Sequence, residues 1–253
     1  MANGDQRAMY RLFFESVSAI SASFQRHKRL IVLNLVGLFA ALVLLAVVGQ
    51  VRFSSTLYFY SDINADGRFG TGAMTVVSGM CLFVGGALLI SSARIQHLRR
   101  AGALAAGGHR WWLLIAGAGL VFLGFDEILM VHEYLTLKMA QFGVPKLFGI
   151  DQDIYIFAVY GIVAFAVLFK LLPSIYEHRG AVFPLAASIV FFALTQVVDV
   201  IPWDGLSGSQ KTILGPAEEI FKTMGAWSAA LYAELFLESV VMSDVRAGFR
   251  PEG

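Results

Sequence analysis

Cysteine is almost missing from this chain of 253 residues. Cys81 stands alone, which excludes an intrachain disulfide and a Cys-x-x-Cys redox or zinc pair. Charge is scarce as well. Lys, Arg, Asp and Glu make up 15% of the chain, against about a quarter in an ordinary soluble domain, and they nearly cancel, to a formal +1. So small a balance offers no basic field for nucleic acid. There is no Gly-x-Ser-x-Gly elbow, Walker phosphate loop, His-Glu-x-x-His zinc helix or Gly-x-Gly-x-x-Gly dinucleotide turn, so those chemistries lack support. What is abundant is apolar: 57% of residues are hydrophobic and 21 are Phe.

The apolar residues are gathered into runs near the ~20 residues that cross ~30 Å of hydrocarbon. Six are expected, over 30–49, 70–92, 111–133, 153–172, 182–201 and 214–240. The first is too long for a signal-peptide core and reads as a retained span. The sequence predicts an all-α polytopic membrane bundle: a cytoplasmic segment over 1–29, six spans over 30–242 and a tail over 243–253. Arg7, Arg11, Arg26, Lys28, Arg29, Arg94, Arg99, Arg100, Arg110, Lys170, Arg179, Arg246 and Arg250 fall on one side, 13 in all. The alternate loops hold five: Arg52, Arg68, Lys138, Lys146 and Lys211. The positive-inside rule then places both termini in the cytoplasm. Met9, Leu12, Phe13, Val17, Ile20 and Phe24 recur near helical spacing, which suggests an interfacial helix before the first span.

Ionisable residues interrupt these runs where hydrocarbon offers no water to solvate them, and such groups point to function. At 1.5 Å per residue, Asp126 lies roughly 22 Å along the third span from Trp111. His132 and Glu133 follow near its outer end, Asp199 lies near the outer end of the fifth span, and Glu218 and Glu219 open the sixth. Three helices thus bring acids to one depth. On a regular helix Asp126 and Glu133 share a face while Glu127 and His132 lie on opposite flanks. Either the helix breaks near His132 or the four groups serve different partners. Glu218 and Lys222 have the i, i+4 spacing of an ion pair, with Lys222 as charge partner. Pro216 suits a first helical turn, which would put the paired glutamates at the positive end of a helix dipole. Gly225 and Ala229 allow close helix approach.

Carboxylates with one imidazole suit zinc, iron or manganese. The expected ligands are Asp126, His132, Glu133, Glu219 and Asp199, with Glu127 or Glu218 as general base. The function expected is a divalent-metal site near the periplasmic side, acting on a lipid or other amphiphile by hydrolysis or oxidation. Two alternatives stand beside it. One is a non-catalytic subunit of a larger membrane complex, or a homo-oligomer, with a charge-compensated core. The other is a proton- or cation-coupled transporter. Separately, Asp62, Asn64, Asp66 and Gly67 match the first half of an EF-hand calcium loop, but Ala73 stands where the bidentate Glu belongs. The missing ligand favours an Asx-rich turn.

Three features together resemble a group of uncharacterised bacterial multi-pass membrane proteins. They are the acidic loop Asp62–Gly67, the span with Asp126-Glu127 and His132-Glu133, and the last span with Glu218-Glu219 and Met224-Gly225. The resemblance implies a six-helix fold with a polar cluster shared by the third and sixth spans, and the location expected is a bacterial inner membrane. It implies no activity. Lys222 departs from the more acidic pattern of that group and points toward internal neutralisation.

Overall fold

The computed structural model describes residues 29, 36–37, 73–100, 108–147, 150, 152–199, 201 and 207–248. The arm over 6–26 and the Asp62–Gly67 loop lie outside the described residues, as does the first expected span apart from Val36 and Gly37, which are helical. Among the described residues the fold is all-α. The helices are α1 (Ala73–Arg100), α2 (Gly108–Leu129), α3 (Val131–Gln141), α4 (Asp153–Glu177), α5 (Val182–Asp199) and α6 (Gly208–Gly248). A 3-10 turn, Arg179–Ala181, joins α4 to α5.

Among the described residues four stretches are long and apolar enough to cross a membrane: Met74–His97, Arg110–Leu129, Asp153–Glu177 and Arg179–Asp199. They correspond to the second to fifth expected spans. The sixth, 214–240, lies inside α6, whose Glu218, Glu219, Lys222, Glu234 and Glu238 keep it off that count. A helix meets its backbone hydrogen bonds internally, as lipid requires. Hydroxyls do likewise: Ser91, Ser92 and Thr195 donate to the Ala87, Leu88 and Phe191 carbonyls one turn back.

Glycine sets how closely α1 and α2 approach. A Cβ on Gly86 would stand 2.6 Å from the Gly117 carbonyl oxygen, and one on Gly117 would stand 2.8 Å from that of Gly86. The pair Gly79 and Gly124 repeats this, at 3.1 and 2.9 Å. Each helix carries its two glycines seven residues apart, so they form one stripe two turns long. The matching of 79 with 124 and 86 with 117 makes the helices antiparallel. Helix α6 runs parallel to α1, since Thr75 meets Glu219 and Gly85 meets Ala230. It runs antiparallel to α5: Ser188 Oγ donates to the Gly225 carbonyl at 2.9 Å, and the Phe191 and Phe221 rings stack. Gly225 lies against the Phe192 ring and Ala229 is buried, the close approach expected of them.

Pro216 does not open its helix. Helix α6 begins at Gly208, eight residues earlier, with Pro216 in its interior. Glu218 and Glu219 are therefore nearly three turns from the N-terminus. The dipole fades within the first turn and does not account for their charge. Leu89, Leu113, Leu171, Leu231 and Phe236 form the main apolar core toward one end of the bundle. Cys81 packs midway with Leu82 and Ala226. The opposite end, where α1, α4 and α6 begin and α2 and α5 finish, carries the charges.

Candidate functional site

The α2 helix stops at Leu129 because Met130 takes the left-handed conformation, φ 54 and ψ 42. This is the helix break that the spacing of the acids allows. It brings His132 back toward Asp126. One Asp126 oxygen accepts the His132 backbone N–H at 2.7 Å, and the other lies 3.1 Å from His132 Nδ1. Asp126 thus satisfies a backbone donor in the first turn of α3, although it belongs to the preceding helix. A carboxylate only accepts, so Nδ1 carries the hydrogen and Nε2 is the ring's other face to its surroundings. The Phe157 ring on α4 lies 5.4 Å from the imidazole, and the Tyr160 hydroxyl interacts with the same Asp126 carboxylate. Asp126 is only 4% exposed.

Beside this pair stands Lys222. Its Nζ is 2.9 Å from Glu219 Oε1, 3.2 Å from Glu127 Oε1 and 4.0 Å from Glu218 Oε1. The i, i+4 pair with Glu218 is present but is the longest of the three. The closest partners are Glu219, one turn away, and Glu127 from α2. Helix α1 contributes hydroxyls. Thr75 Oγ1 donates to Glu219 Oε2 at 3.4 Å, and Ser78 Oγ lies 3.3 Å from Glu127 Oε1 and 3.0 Å from the Thr75 carbonyl. One hydroxyl has one hydrogen, so Ser78 serves these two acceptors by turns.

The two groups adjoin, since His132 is affected by the charges of Lys222 and Glu127. His132 lies past the end of the α2 span. Burial opposes its charged form, but the bond and charge of Asp126 outweigh burial and raise its pKa above the ordinary 6.5. Of the expected residues, the structure brings together Asp126, Glu127, His132, Glu218, Glu219 and Lys222. Glu133 stands in the first turn of α3 and Asp199 is the last residue of α5, both half-buried. Among the described residues no three His, Cys, Asp or Glu side chains are grouped to hold one metal ion. The physical reason is visible: the Lys222 ammonium stands between the glutamates, and Asp126 is taken up by His132. Thr75, Ser78 and Tyr160 are additions. The first two are small polar residues one turn apart at the start of an apolar run, a signal available in the sequence; Tyr160 has no comparable signal.

Over residues 30–235 the chain matches a domain family of unknown function, DUF8692, and it belongs to that family. This agrees with the resemblance to an uncharacterised family. No curated protein and no solved structure matches the chain.

Proposed function

We propose that this is a six-span protein of a bacterial inner membrane, with both termini in the cytoplasm, whose working part is a proton-binding charge cluster on the periplasmic side. The end of α1 with Arg94, Arg99 and Arg100, the Arg246 end of α6 and the Arg110 end of α2 lie opposite the cluster, which supports that orientation. One observation carries the proton reading. Four carboxylates, Asp126, Glu127, Glu218 and Glu219, meet two bases, Lys222 and His132, in largely buried surroundings. Fully ionised, this set has two negative charges in surplus. Surroundings poor in water oppose such a surplus, and carboxyls answer by holding protons. The central place a metal ion would take is filled by the ammonium of Lys222, so the proton is the cation that fits.

Difference infrared spectroscopy on protein in lipid vesicles tests this. Protonated carboxyl bands are expected at about pH 6–8, where exposed carboxylates are ionised. One of them should vanish in Glu218→Gln, the glutamate farthest from the Lys222 ammonium. Only ionised carboxylates across that range would end the proposal.

A second reading is favoured by the Asp126–His132 bond. Imidazoles that ligate metals are commonly held by a carboxylate on the other nitrogen. His132 Nε2 would then take zinc, iron or manganese, with Glu127 or Glu218 as base toward a lipid or amphiphile. Elemental analysis should find stoichiometric metal that is lost in His132→Ala; metal-free native protein would exclude this reading.

A further inference from the structure

Helices α2 and α3 would be one helix but for a single residue. Met130 is the one non-glycine residue with positive φ among the described residues. Methionine favours helix, and the left-handed conformation is disfavoured for any residue with a Cβ. No proline stands in the whole stretch 108–141, and no glycine within five residues of the bend. Local preference over 108–141 is therefore for a straight helix, and the bend must be held by contacts elsewhere. Asp126 makes its two bonds across the bend to His132. The buried Met130 side chain and the Phe157 ring add packing. Beyond its first turn α3 has no buried residue, and Tyr134, Leu135 and Leu137 are exposed. Farther on, Gln152 Nε2 donates to the Val144 carbonyl at 2.9 Å and the Tyr155 hydroxyl to the Pro145 carbonyl at 3.1 Å, which moors the following connection to α4.

We propose that α3 is a hinged lid, bent beside the charged cluster by the Asp126–His132 latch and able to swing about Met130 into line with α2. The two states differ by a definite exchange. Opening removes the left-handed residue and restores helical hydrogen bonding through 130, and it gives up the latch, the ring contact and the mooring at Val144 and Pro145. Opening also takes His132 away from Lys222 and Glu127, so access to the cluster follows the latch. This holds whichever ligand the cluster takes.

Spin labels on Gln141→Cys and Ile162→Cys, both exposed, in a Cys81→Ala background, report the position of α3 against α4 in lipid vesicles. The native latch should give mainly one short distance. Asp126→Ala, which removes both bonds, should add a population longer by on the order of 10 Å, the scale of an 11-residue helix swinging at one end. Adding Met130→Gly should return most molecules to the short distance, since glycine occupies the left-handed state freely and weakens the straight helix. A distance unchanged by Asp126→Ala, or a long population that Met130→Gly leaves in place, overturns the proposal. Should Asp126→Ala not fold, His132→Phe keeps the ring contact and removes only the Nδ1 bond. It should give a smaller long population, and its absence overturns the proposal equally.

Discussion

Between α1 and α2 the two backbones touch through paired glycines, and half of α1's most apolar stretch is buried. For α4 the same measure is 6%, with Ile162 and Phe165 more than two-thirds exposed toward what would be lipid. The charged groups follow this division. Thr75, Ser78, Asp126, Glu127, Glu218, Glu219 and Lys222 all sit on α1, α2 and α6, the tightly joined part. Helix α4 contributes Phe157 and Tyr160 at the edge. The difference shows what holds charges in place. Without a hydrophobic drive between helices in lipid, close backbone contact and polar bonds fix the geometry. Gly124 lies two residues before Asp126, so the glycine seam that clamps α2 to α1 also sets the carboxylates beside Thr75 and Ser78.

The largest effect expected is from Lys222→Met. The substitution keeps the apolar stem and removes the one ammonium among three glutamates. Breaking a buried pair from one side costs about 3–5 kcal/mol. The glutamates left behind would repel one another with no cation between them, so the loss should be greatest where all of them are ionised. Unfolding midpoints in detergent at neutral and acidic pH check this. Equal stability of native and variant protein at neutral pH would show that the cluster binds nothing together.

The glycines give a sharper version of the comparison. Gly86→Leu forces a side chain against the Gly117 backbone, which cannot move aside as a flexible side chain can. A cost of about 1–3 kcal/mol or more is expected, as for other overpacked sites. Gly161→Leu on α4 meets nothing within 4 Å and should stay within about 0.5 kcal/mol of native. The two substitutions are chemically identical, so similar unfolding midpoints would erase the distinction between core and flank.

Charge was the legible part of the sequence. A carboxylate inside an apolar run is visible in one dimension, and the depth argument brought Asp126, Glu127, Glu218 and Glu219 to one end of the bundle. The expected spans at 70–92, 111–133, 153–172 and 182–201 each meet a helix. What was less legible depends on rotation and on partners. The stripes Gly79/Gly86 and Gly117/Gly124 carry meaning only once the two helices are known to face each other. The third span was expected to run to Glu133, yet it ends at Leu129, because a left-handed Met130 has no local signal and is held by Asp126 from a turn earlier. The helix dipole argument at Pro216 failed because Gly208–Leu214 continues the helix backward, where local sequence offers a plausible stop.

The smallest effect tests the edge where flank and core meet. His132 belongs to α3, but its pKa is set by Asp126 on α2. Burial lowers that pKa, as does Lys222, while the hydrogen bond and charge of Asp126 raise it further, for a net rise above 6.5. The sign for stability follows. A base whose folded pKa is raised contributes stability that is fully present below its unfolded pKa, near 6.5, and is lost as pH rises through the higher folded value. Asp126→Asn keeps the shape and an acceptor oxygen but removes the charge, so burial and Lys222 are left with less to oppose them. The His132 pKa, read from the ring proton shifts in nuclear magnetic resonance, should fall to the ordinary value or below. The added stability on the acid side of neutrality should go with it. If the pKa stays raised in Asp126→Asn, the imidazole takes its charge from Glu127 and the core, and α3 is tied to the cluster by something other than its latch.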